Sequence, residues 1–360
     1  MGRRTRSSLA AVAAALLVAT AAACGDSDEG AASGDPATGL APALQQLYDA
    51  ARQEGTVTYW TSDDPPVIAK VMESFNSKYP GIKVEPVLIQ PEEAVEKIIS
   101  ETVSGNAPSA DVAMIGVPSA VPLLDRDLAE KVDWASYGAP ADDAMFDGRG
   151  LRFLNYTLAI AYNPDKIKRE EVPNTLQGLA DSTRLDGGKL VLESRGWAFG
   201  LMASSIGQDQ SLALLDRLLT KKPLVIKGAG PVGQAVASGE ADVGFTLLTS
   251  SAMEMKEAGA SVDYVVPNPI LCTNFQNVVL KKAKNPNAAK LLSVWLNSPE
   301  SMEAYKGQNL FPERLTGPWI PTYSKEMVDT GAPILCDDDK NVALGVDTNT
   351  KAAAKMAGLG

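Results

Sequence analysis

The stretch LRFLNYTLAIAYNP, residues 151–164, decides the fold because its apolar run is longer than one ordinary strand. A strand of this length can leave one sheet and continue in a second sheet. Strand and helix patterns alternate on both sides of the stretch, as they do in a mainly parallel sheet with helices on both faces. The sequence therefore predicts an α/β protein with two lobes, joined by a crossing near Asn155–Asn163.

The segments around this crossing show the same alternation. Before it, strands are predicted at 56–60, 82–89 and 110–116, each followed by a helix. After it, the alternation restarts with KLVLE at 189–193 and runs to a strand that ends near Pro267. A second crossing is predicted at Pro267–Asn274, where the chain returns towards the first lobe.

The first 24 residues, MGRRTRSSLAAVAAALLVATAAAC, have the organisation of a bacterial lipoprotein signal. Three arginines precede an apolar run that is shorter than the ~20 residues of a membrane span, and small residues lead to Cys24. We expect cleavage before Cys24, lipid attachment to its thiol, and anchoring to the outside of a bacterial cell membrane. The Arg3-Arg4 pair leaves the Sec and twin-arginine export routes both open.

Composition narrows the class of partner. The net charge of −11 becomes −14 when the three arginines of residues 1–23 are removed, and this acidic balance excludes a nucleic-acid partner. Residues 25–41 contain Gly, Ala, Ser and acids without an aromatic residue, so we expect a disordered tether. The remaining body is long enough for a sizeable core.

Sequence motifs for catalysis are missing. The chain has no histidine, no G-x-S-x-G elbow and no phosphate-binding G-x-x-x-x-G-K-[ST] loop. The glycines of GAGPVG, starting at Gly228, match G-x-G-x-x-G, but the next strand does not end in the acidic residue that dinucleotide binding needs. We therefore expect no enzyme activity, no catalytic residues, no metal and no cofactor.

Two cysteines remain after Cys24. In an oxidising compartment Cys272 and Cys336 form either a disulfide or two buried free thiols, and the sequence leaves both alternatives open.

Polar residues at predicted strand ends are the candidate ligand-binding residues. Those of the first lobe are Ser62, Asp63 and Ser119. Those of the second lobe comprise two groups, each at the start of a helix where backbone N–H groups attract anions: Ser194, Arg195 and Trp197, then Thr249 and Ser250. Tyr156 and Asn274 lie on the predicted crossings. Helix capping, surface ion pairing or core packing are the competing roles for these residues.

Several motifs, in this order, resemble the extracytoplasmic solute-binding proteins of ABC importers, and especially their ferric-iron-type branch. They are ARQEGTVTYWTS (51–62), FNSKYPGIKVEPV (75–87), LAIAYNP (158–164), VASGEADVGF (236–245) and KNPNAAKLLSVWLNSPES (284–301). The resemblance covers about Ala41–Leu315. It implies the type II periplasmic-binding-protein fold, in which two lobes close by a hinge around a solute held in the cleft between them.

The chain departs from the iron-binding members where they carry a tyrosine pair. The positions of that pair read Thr249 and Ser250, and Asp63 stands where a histidine is frequent. Neutral hydroxyls do not replace phenolates as ligands of Fe³⁺, so iron binding through a tyrosine pair is not expected.

Together, residues and resemblance predict a monomeric, lipid-anchored receptor that delivers a small polar, anionic organic solute to an ABC permease and its ATPase. A metal receptor that uses carboxylates and a secreted carboxylate-dependent hydrolase are the alternatives. A cationic solute held by Asp63, Asp64, Trp60 and Trp197 is the opposite hypothesis for the solute's charge. The predicted domains are a signal peptide (1–23), a tether (24–41), lobe 1 (42–158 and 270–315), lobe 2 (159–269) and a C-terminal segment packing back on lobe 2 (316–360).

Overall fold

The computed structural model describes residues 39–308 and 313–358, so the leader, Cys24 and most of the predicted tether lie outside the described residues. Within the described residues, no helix is long and apolar enough to cross a membrane. The helices are α1 (Pro42–Glu54), α2 (Pro65–Lys78), α3 (Pro91–Val103), α4 (Val117–Asp125), α5 (Leu176–Asp181), α6 (Trp197–Ile206), α7 (Gln208–Leu219), α8 (Ala229–Ala237), α9 (Thr249–Glu257), α10 (Pro286–Leu296), α11 (Pro299–Lys306), α12 (Thr322–Val328) and α13 (Val342–Met356). The strands are β1 (Thr56–Thr61), β2 (Lys83–Leu88), β3 (Val112–Gly116), β4 (Ala144–Met145), β5 (Gly150–Tyr162), β6 (Leu190–Glu193), β7 (Leu224–Ile226), β8 (Val243–Leu248), β9 (Asp263–Val265), β10 (Ile270–Val279) and β11 (Ile334–Cys336).

The described strands join in one curled sheet. Their order is β2-β1-β3-β10-β5-β8-β6-β7, with β11 against β10 and with β4 and β9 against β5. Strands β2 and β3 run parallel to β1, and strands β7 and β8 run parallel to β6. Strands β5 and β10 run antiparallel to each other between these two parallel groups. The mixed α/β architecture and its two lobes confirm the predicted fold class.

Strand β5 changes partners in its middle, as the length of its apolar run predicts. Thr157 is paired with Cys272 on β10, whereas the next residue, Leu158, is paired with Leu248 on β8. The first half of β5 therefore belongs to the lobe of β1–β3, and the second half belongs to the lobe of β6–β8. The chain returns between β9, which pairs with the second half of β5, and β10.

Each lobe has its own apolar core on both faces of its strands. In the first lobe, the apolar faces of α1, α2 and α10 pack on one side and those of α3 and α4 on the other. In the second lobe, α6 and α7 cover one side and α8 covers the other. These helices carry apolar residues at helical spacing, for example Ile68, Val71, Met72 and Phe75 on α2.

The C-terminal segment folds into elements that the sequence did not predict. Strand β11 pairs in parallel with β10, and Cys272 and Cys336 of this pair are joined in a disulfide. Helix α13 packs on α6 and α7 of the second lobe and also contacts α4 of the first lobe. The packing on α6 is close because a Cβ on Gly200 would come within 2.6 Å of the carbonyl oxygen of Gly345.

Candidate functional site

A cavity of about 970 Å³ opens at the carboxyl ends of the parallel strands in both lobes. In open α/β sheets this edge is where ligands bind, because strand ends and helix starts meet there. The first-lobe wall comes from the segments after β1, β2 and β3, among them Asp63, Glu92 and Ser119. The second-lobe wall comes from the segments after β6, β7 and β8, among them Arg195 and Ser250.

The crossing strands and the C-terminal segment complete the cavity. Tyr156 from β5 and Phe275 from β10 line it, with ring centroids 4.9 Å apart and planes at 82°. This edge-to-face contact holds both rings in place. Helix α13 contributes Val342, Gly345 and Asn349, which had no role in the sequence-based prediction. The sequence did not predict α13, because Gly345, Asp347, Thr348 and Asn349 in its interior are poor helix formers, so its place in the cavity was missed.

Seven of the ten predicted ligand-binding residues line this one cavity. They are Ser62, Asp63, Ser119, Tyr156, Arg195, Trp197 and Ser250. The structure thus brings together residues that are far apart in the sequence. Ser194, Thr249 and Asn274 do not line the cavity. The backbone N–H of Ser194 instead donates to the carbonyl oxygen of Ile226, alongside the β6–β7 pairing.

Thr249 serves the crossing rather than the cavity. Its side chain is buried, and its Oγ1 lies 2.6 Å from Oγ1 of Thr157 on β5. Thr157 is in turn bonded to Glu313, which accepts from the Thr157 backbone N–H at 2.8 Å and lies 2.7 Å from its Oγ1. Burial raises the pKa of the Glu313 carboxyl to about 8, against the effect of these hydrogen bonds. Thr249 and Glu313 therefore stabilise the point at which β5 changes sheets.

Asn274 has a similar structural role on β10. Its Nδ2 donates to the carbonyl oxygen of Asp337, and its Oδ1 accepts from Nδ2 of Asn155. Its backbone N–H donates to Asp337 Oδ1 at 2.7 Å, and Oγ1 of Thr273 donates to Oδ2 at 2.7 Å. Asp337 lines the cavity, and burial raises the pKa of its carboxyl to about 7. Asn274 therefore positions a cavity residue without lining the cavity itself.

Arg195 is held rigidly at the second-lobe wall. Its Nε donates to Oε1 of the buried Glu193 at 2.7 Å, and its guanidinium lies over the Trp197 ring at 3.9 Å from the centroid. Glu193 also accepts from the backbone N–H groups of Arg195 and Gly228. Within the described residues the two Nη atoms of Arg195 make no hydrogen bond, so a fixed pair of donors lines the cavity.

Some backbone N–H groups at the helix starts of this wall already donate hydrogen bonds to other residues of the protein. The backbone N–H of Gly200 in α6 donates to Oδ1 of Asn349 at 2.9 Å. Lys227, which lies between β7 and α8, also lines the cavity. It is an exposed cation that forms no salt bridge within residues 39–308 and 313–358.

Asp63 lies on the first-lobe wall and is bonded to Tyr305, which the sequence did not single out. Its Oδ2 accepts from Oγ1 of Thr61 at 2.9 Å and from the hydroxyl of Tyr305 at 3.0 Å. Burial raises the pKa of Asp63, while these two hydrogen bonds lower it. The pKa values of Tyr156 and Tyr305 are raised well above their usual range, first by burial and then by the charge of Asp63.

Trp60, part of the cation hypothesis, does not line the cavity. Its side chain is 2% exposed, and Nζ of Lys97 lies 4.7 Å from its ring centroid. Among the described residues, the aromatic side chains that line the cavity are those of Trp197, Tyr156 and Phe275. Among the described residues, no group of three or more His, Cys, Asp or Glu side chains is placed to hold a metal ion.

Residues 70–318, more than two thirds of the chain, match the sequence family described as bacterial extracellular solute-binding protein. No curated protein sequence matches the chain significantly.

Solved structures of solute-binding proteins have the same fold. The substrate-binding protein of an ABC transporter from Agrobacterium tumefaciens is 18% identical, with a TM-score of 0.67 over 84% of this chain and 96% of that one. Iron-bound HitA from Pseudomonas aeruginosa is 20% identical, with a TM-score of 0.67 over 85% of this chain and 99% of that one. The Trichodesmium protein IdiA (FutA), in complex with iron and citrate, is 21% identical, with a TM-score of 0.65 over 85% and 99%.

Proposed function

Because the chain belongs to the bacterial extracellular solute-binding protein family, we propose that it is the extracytoplasmic receptor of an ABC importer. In this role it captures a small polar organic solute in the cavity between its lobes, closes around it, and delivers it to the permease and ATPase subunits. The cavity at the strand ends, with seven predicted residues along it, is the observation that carries the proposal. A volume of about 970 Å³ accommodates a small organic molecule.

The solute carries an anionic oxygen group that binds at Arg195. The Nη atoms of this guanidinium are free within the described residues, and Glu193 and Trp197 fix its orientation. Planar guanidinium groups bind carboxylate and phosphate-type oxygens with two parallel hydrogen bonds. Lys227 lines the same side of the cavity and adds a second positive charge. Long-range charge does not favour this capture, since the chain carries −11, and the attraction is local.

Mass spectrometry of the small molecule released from purified, denatured protein will identify the solute. Calorimetric titration with that solute should then show weaker binding by Arg195→Ala, by about 10- to 150-fold, because a charged hydrogen bond contributes about 1.5–3 kcal/mol. Unchanged affinity in this variant would reject Arg195 as the anion ligand.

The receptor performs no chemistry on the solute. The recovered solute should therefore be chemically unchanged after prolonged incubation with the protein. A metal receptor is the second candidate, since relatives of this fold such as HitA were solved with iron. For that candidate, chelation should abolish binding, whereas for the organic solute a chelator should have no effect.

We further propose that the mature protein is a monomer anchored through lipid on Cys24. The small residues before Cys24 support the anchor. Cys24→Ala should move the protein from the membrane fraction to the soluble fraction of fractionated cells. Retention of this variant in the membrane fraction at the parent's level would rule the anchor out.

A further inference from the structure

The cavity has an apolar surface that begins beside Arg195. On α6, Trp197 and Leu201 both line the cavity, and side chains four residues apart lie on the same face of a helix. The Arg195 guanidinium lies over the Trp197 ring, 3.9 Å from its centroid. The apolar face of α6 therefore starts at the residue on which the guanidinium rests.

Helix α13 continues this apolar surface from the second lobe to the first. It approaches α6 closely, because a Cβ on Gly200 would come within 2.6 Å of the carbonyl oxygen of Gly345. Gly345 and Val342, three residues apart on one face of α13, both line the cavity. Val342 is buried in one apolar cluster with Val117, at the start of α4. The surface thus runs from α6 through α13 to the first helix turn after β3.

Phe275 and Tyr156 form the far end of this surface, on the crossing strands. Gly116 directly precedes Val117, and a Cβ on Gly116 would lie 3.4 Å from Cζ of Phe275. The Phe275 ring packs edge-to-face on the Tyr156 ring, with 4.9 Å between the centroids. Both rings are only half-buried, so part of each remains uncovered in the cavity. We call the apolar strip the four cavity residues along this path, which are Leu201, Val342, Phe275 and Tyr156.

An apolar strip inside a cavity matches the apolar part of a ligand. Contact of apolar surface with water is unfavourable in proportion to its area, and a ligand with apolar carbon atoms removes that contact. In ligand pockets, apolar side chains cover most of the ligand while a few polar groups fix its orientation. The volume of about 970 Å³ leaves ample room for carbon atoms beyond an anionic group at Arg195.

The donors near Arg195 favour an anionic group with two oxygens. The backbone N–H groups of Arg195 and Gly228 donate to Glu193, and that of Gly200 donates to Oδ1 of Asn349. These N–H groups are therefore not available to a third oxygen, whereas the two free Nη atoms of Arg195 match the two oxygens of a carboxylate. The first-lobe wall offers fewer donors, since α2, α3 and α4 each have a proline, which lacks an N–H, in the first turn.

We infer that the solute is an amphipathic carboxylate, whose carboxylate binds Arg195 and whose apolar body lies along the apolar strip. The inference rests on the proposed function, because it names the chemical class of the solute held in the same cavity. It also makes Val342 of the C-terminal segment a specificity-determining residue, since Val342 joins the α6 part of the strip to the aromatic pair.

Calorimetric titration of the purified full chain, freed of bound solute, with a homologous series tests the apolar body. The series is acetate, butanoate and hexanoate. Hexylphosphonate, hexylamine and 1-hexanol carry the hexyl chain on other head groups, and ferric citrate represents the iron-bound relatives. The affinity should rise about threefold to fourfold for each added methylene, because each buried methylene contributes a similar transfer free energy. Hexanoate should bind more tightly than the other four probes.

Val342→Thr tests the strip itself, because it keeps the shape of the side chain and replaces one methyl group by a hydroxyl. The ratio of hexanoate affinity to acetate affinity should fall at least about threefold, the effect of losing one methylene contact. Val67→Thr is the matched control, since Val67 lines the cavity from α2, outside the strip, and the same substitution there should leave the ratio unchanged. Phe275→Leu should lower the ratio as well, and it tests the strip independently of α13.

Four results would overturn the inference. They are an affinity that does not depend on chain length, a ratio that Val67→Thr lowers as much as Val342→Thr, a ratio that neither strip variant changes, and tighter binding of another probe than of hexanoate. A released solute that is anionic but has no apolar body would also reject the amphipathic class, while the receptor role would stand. A protein that neither releases a small molecule nor binds any probe would contradict the receptor role itself.

Discussion

Thr249 and Ser250 are neighbours at the start of α9, yet their side chains serve different parts of the molecule. Ser250 lines the cavity, whereas Thr249 is buried against Thr157 on the crossing strand. A sequence pattern can place both residues at a strand end, because strand ends and helix starts have recognisable residues. It cannot tell which hydroxyl turns towards the cavity, since that depends on how β8 meets β5.

The sequence also could not show which residue Asp63 contacts. Asp63 was predicted because it follows a strand, but its partner Tyr305 lies 242 residues away. Contacts at such separations are set by the packing of α11 against α2, and no local pattern reports that packing. Prediction at the scale of residues therefore placed seven of its ten ligand-binding residues along the cavity, and it missed the hydrogen-bond partners of those residues.

Glu313 is the residue at which pH should act most clearly on stability. Its carboxyl is 1% exposed, and its pKa is raised from the ordinary value of 4.5 to about 8 by burial. Between these two pH values the folded state holds a proton that the unfolded state has released. The stabilising contribution is thus complete below about pH 4.5 and is lost as pH rises through about 8.

Glu313→Gln should remove this part of the pH dependence, because the amide keeps both contacts to Thr157 but has no proton to lose. One group contributes a slope of about 1.4 kcal/mol per pH unit to the free energy of unfolding. The free energy of unfolding, measured in urea at pH 5, 6.5 and 8, should therefore fall less steeply with pH in the variant than in the parent, by about 1.4 kcal/mol per pH unit. The exposed Glu85→Gln serves as control and should leave the profile unchanged. A parent-like slope in Glu313→Gln would contradict the assignment.

At the scale of elements, strands and helices with strong periodicity were predicted well. Strand β5 was recognisable because its apolar run is longer than an ordinary strand. In the structure nearly all of its thirteen residues are buried. Helix α13 was not recognisable, because Gly345, Asp347, Thr348 and Asn349 are all poor helix formers in its interior. Its helical state depends on tertiary packing against α6, where Gly200 and Gly345 allow close approach.

Strand β11 illustrates a second reason for failure. It has three residues, which is too short for an alternation to be detected. Its position is fixed by pairing with β10 and by the disulfide between Cys272 and Cys336. The sequence identified these two cysteines but could not choose between a disulfide and free thiols, because the choice depends on the distance between two strands 64 residues apart.

For the whole molecule, the place of the cavity follows from a general rule, because open α/β sheets bind ligands beyond the carboxyl ends of their strands. The rule does not predict that the C-terminal segment also forms part of the wall. Three kinds of contact hold that segment to the rest of the molecule. They are the disulfide, the packing of α13 on both lobes, and the hydrogen bond from the Asn274 backbone N–H on β10 to Asp337. Its loss should therefore affect both stability and the cavity.

Replacing Cys272 and Cys336 together by serine tests how much the C-terminal segment depends on its covalent tie. A cross-link closing a loop of 64 residues stabilises the folded state by about 4 kcal/mol in the chain-entropy model, because it restricts the unfolded chain. Cys272 lies within the apolar cluster of Ile270, Leu315 and Met327, and Cys336 packs against it, so serine hydroxyls there add a cost of burial. The free energy of unfolding in urea should fall by roughly this 4 kcal/mol.

The parent protein treated with a reductant under unfolding conditions is the matched control, since it loses the cross-link but keeps both sulfur atoms. It should lose nearly as much stability as the double variant, and adding reductant to the double variant should change nothing. Asp337 directly follows Cys336 and lines the cavity, so the double variant should also bind the solute more weakly. A double variant as stable as the oxidised parent would show that packing of α13 and β11, rather than the disulfide, holds the C-terminal segment against the crossing.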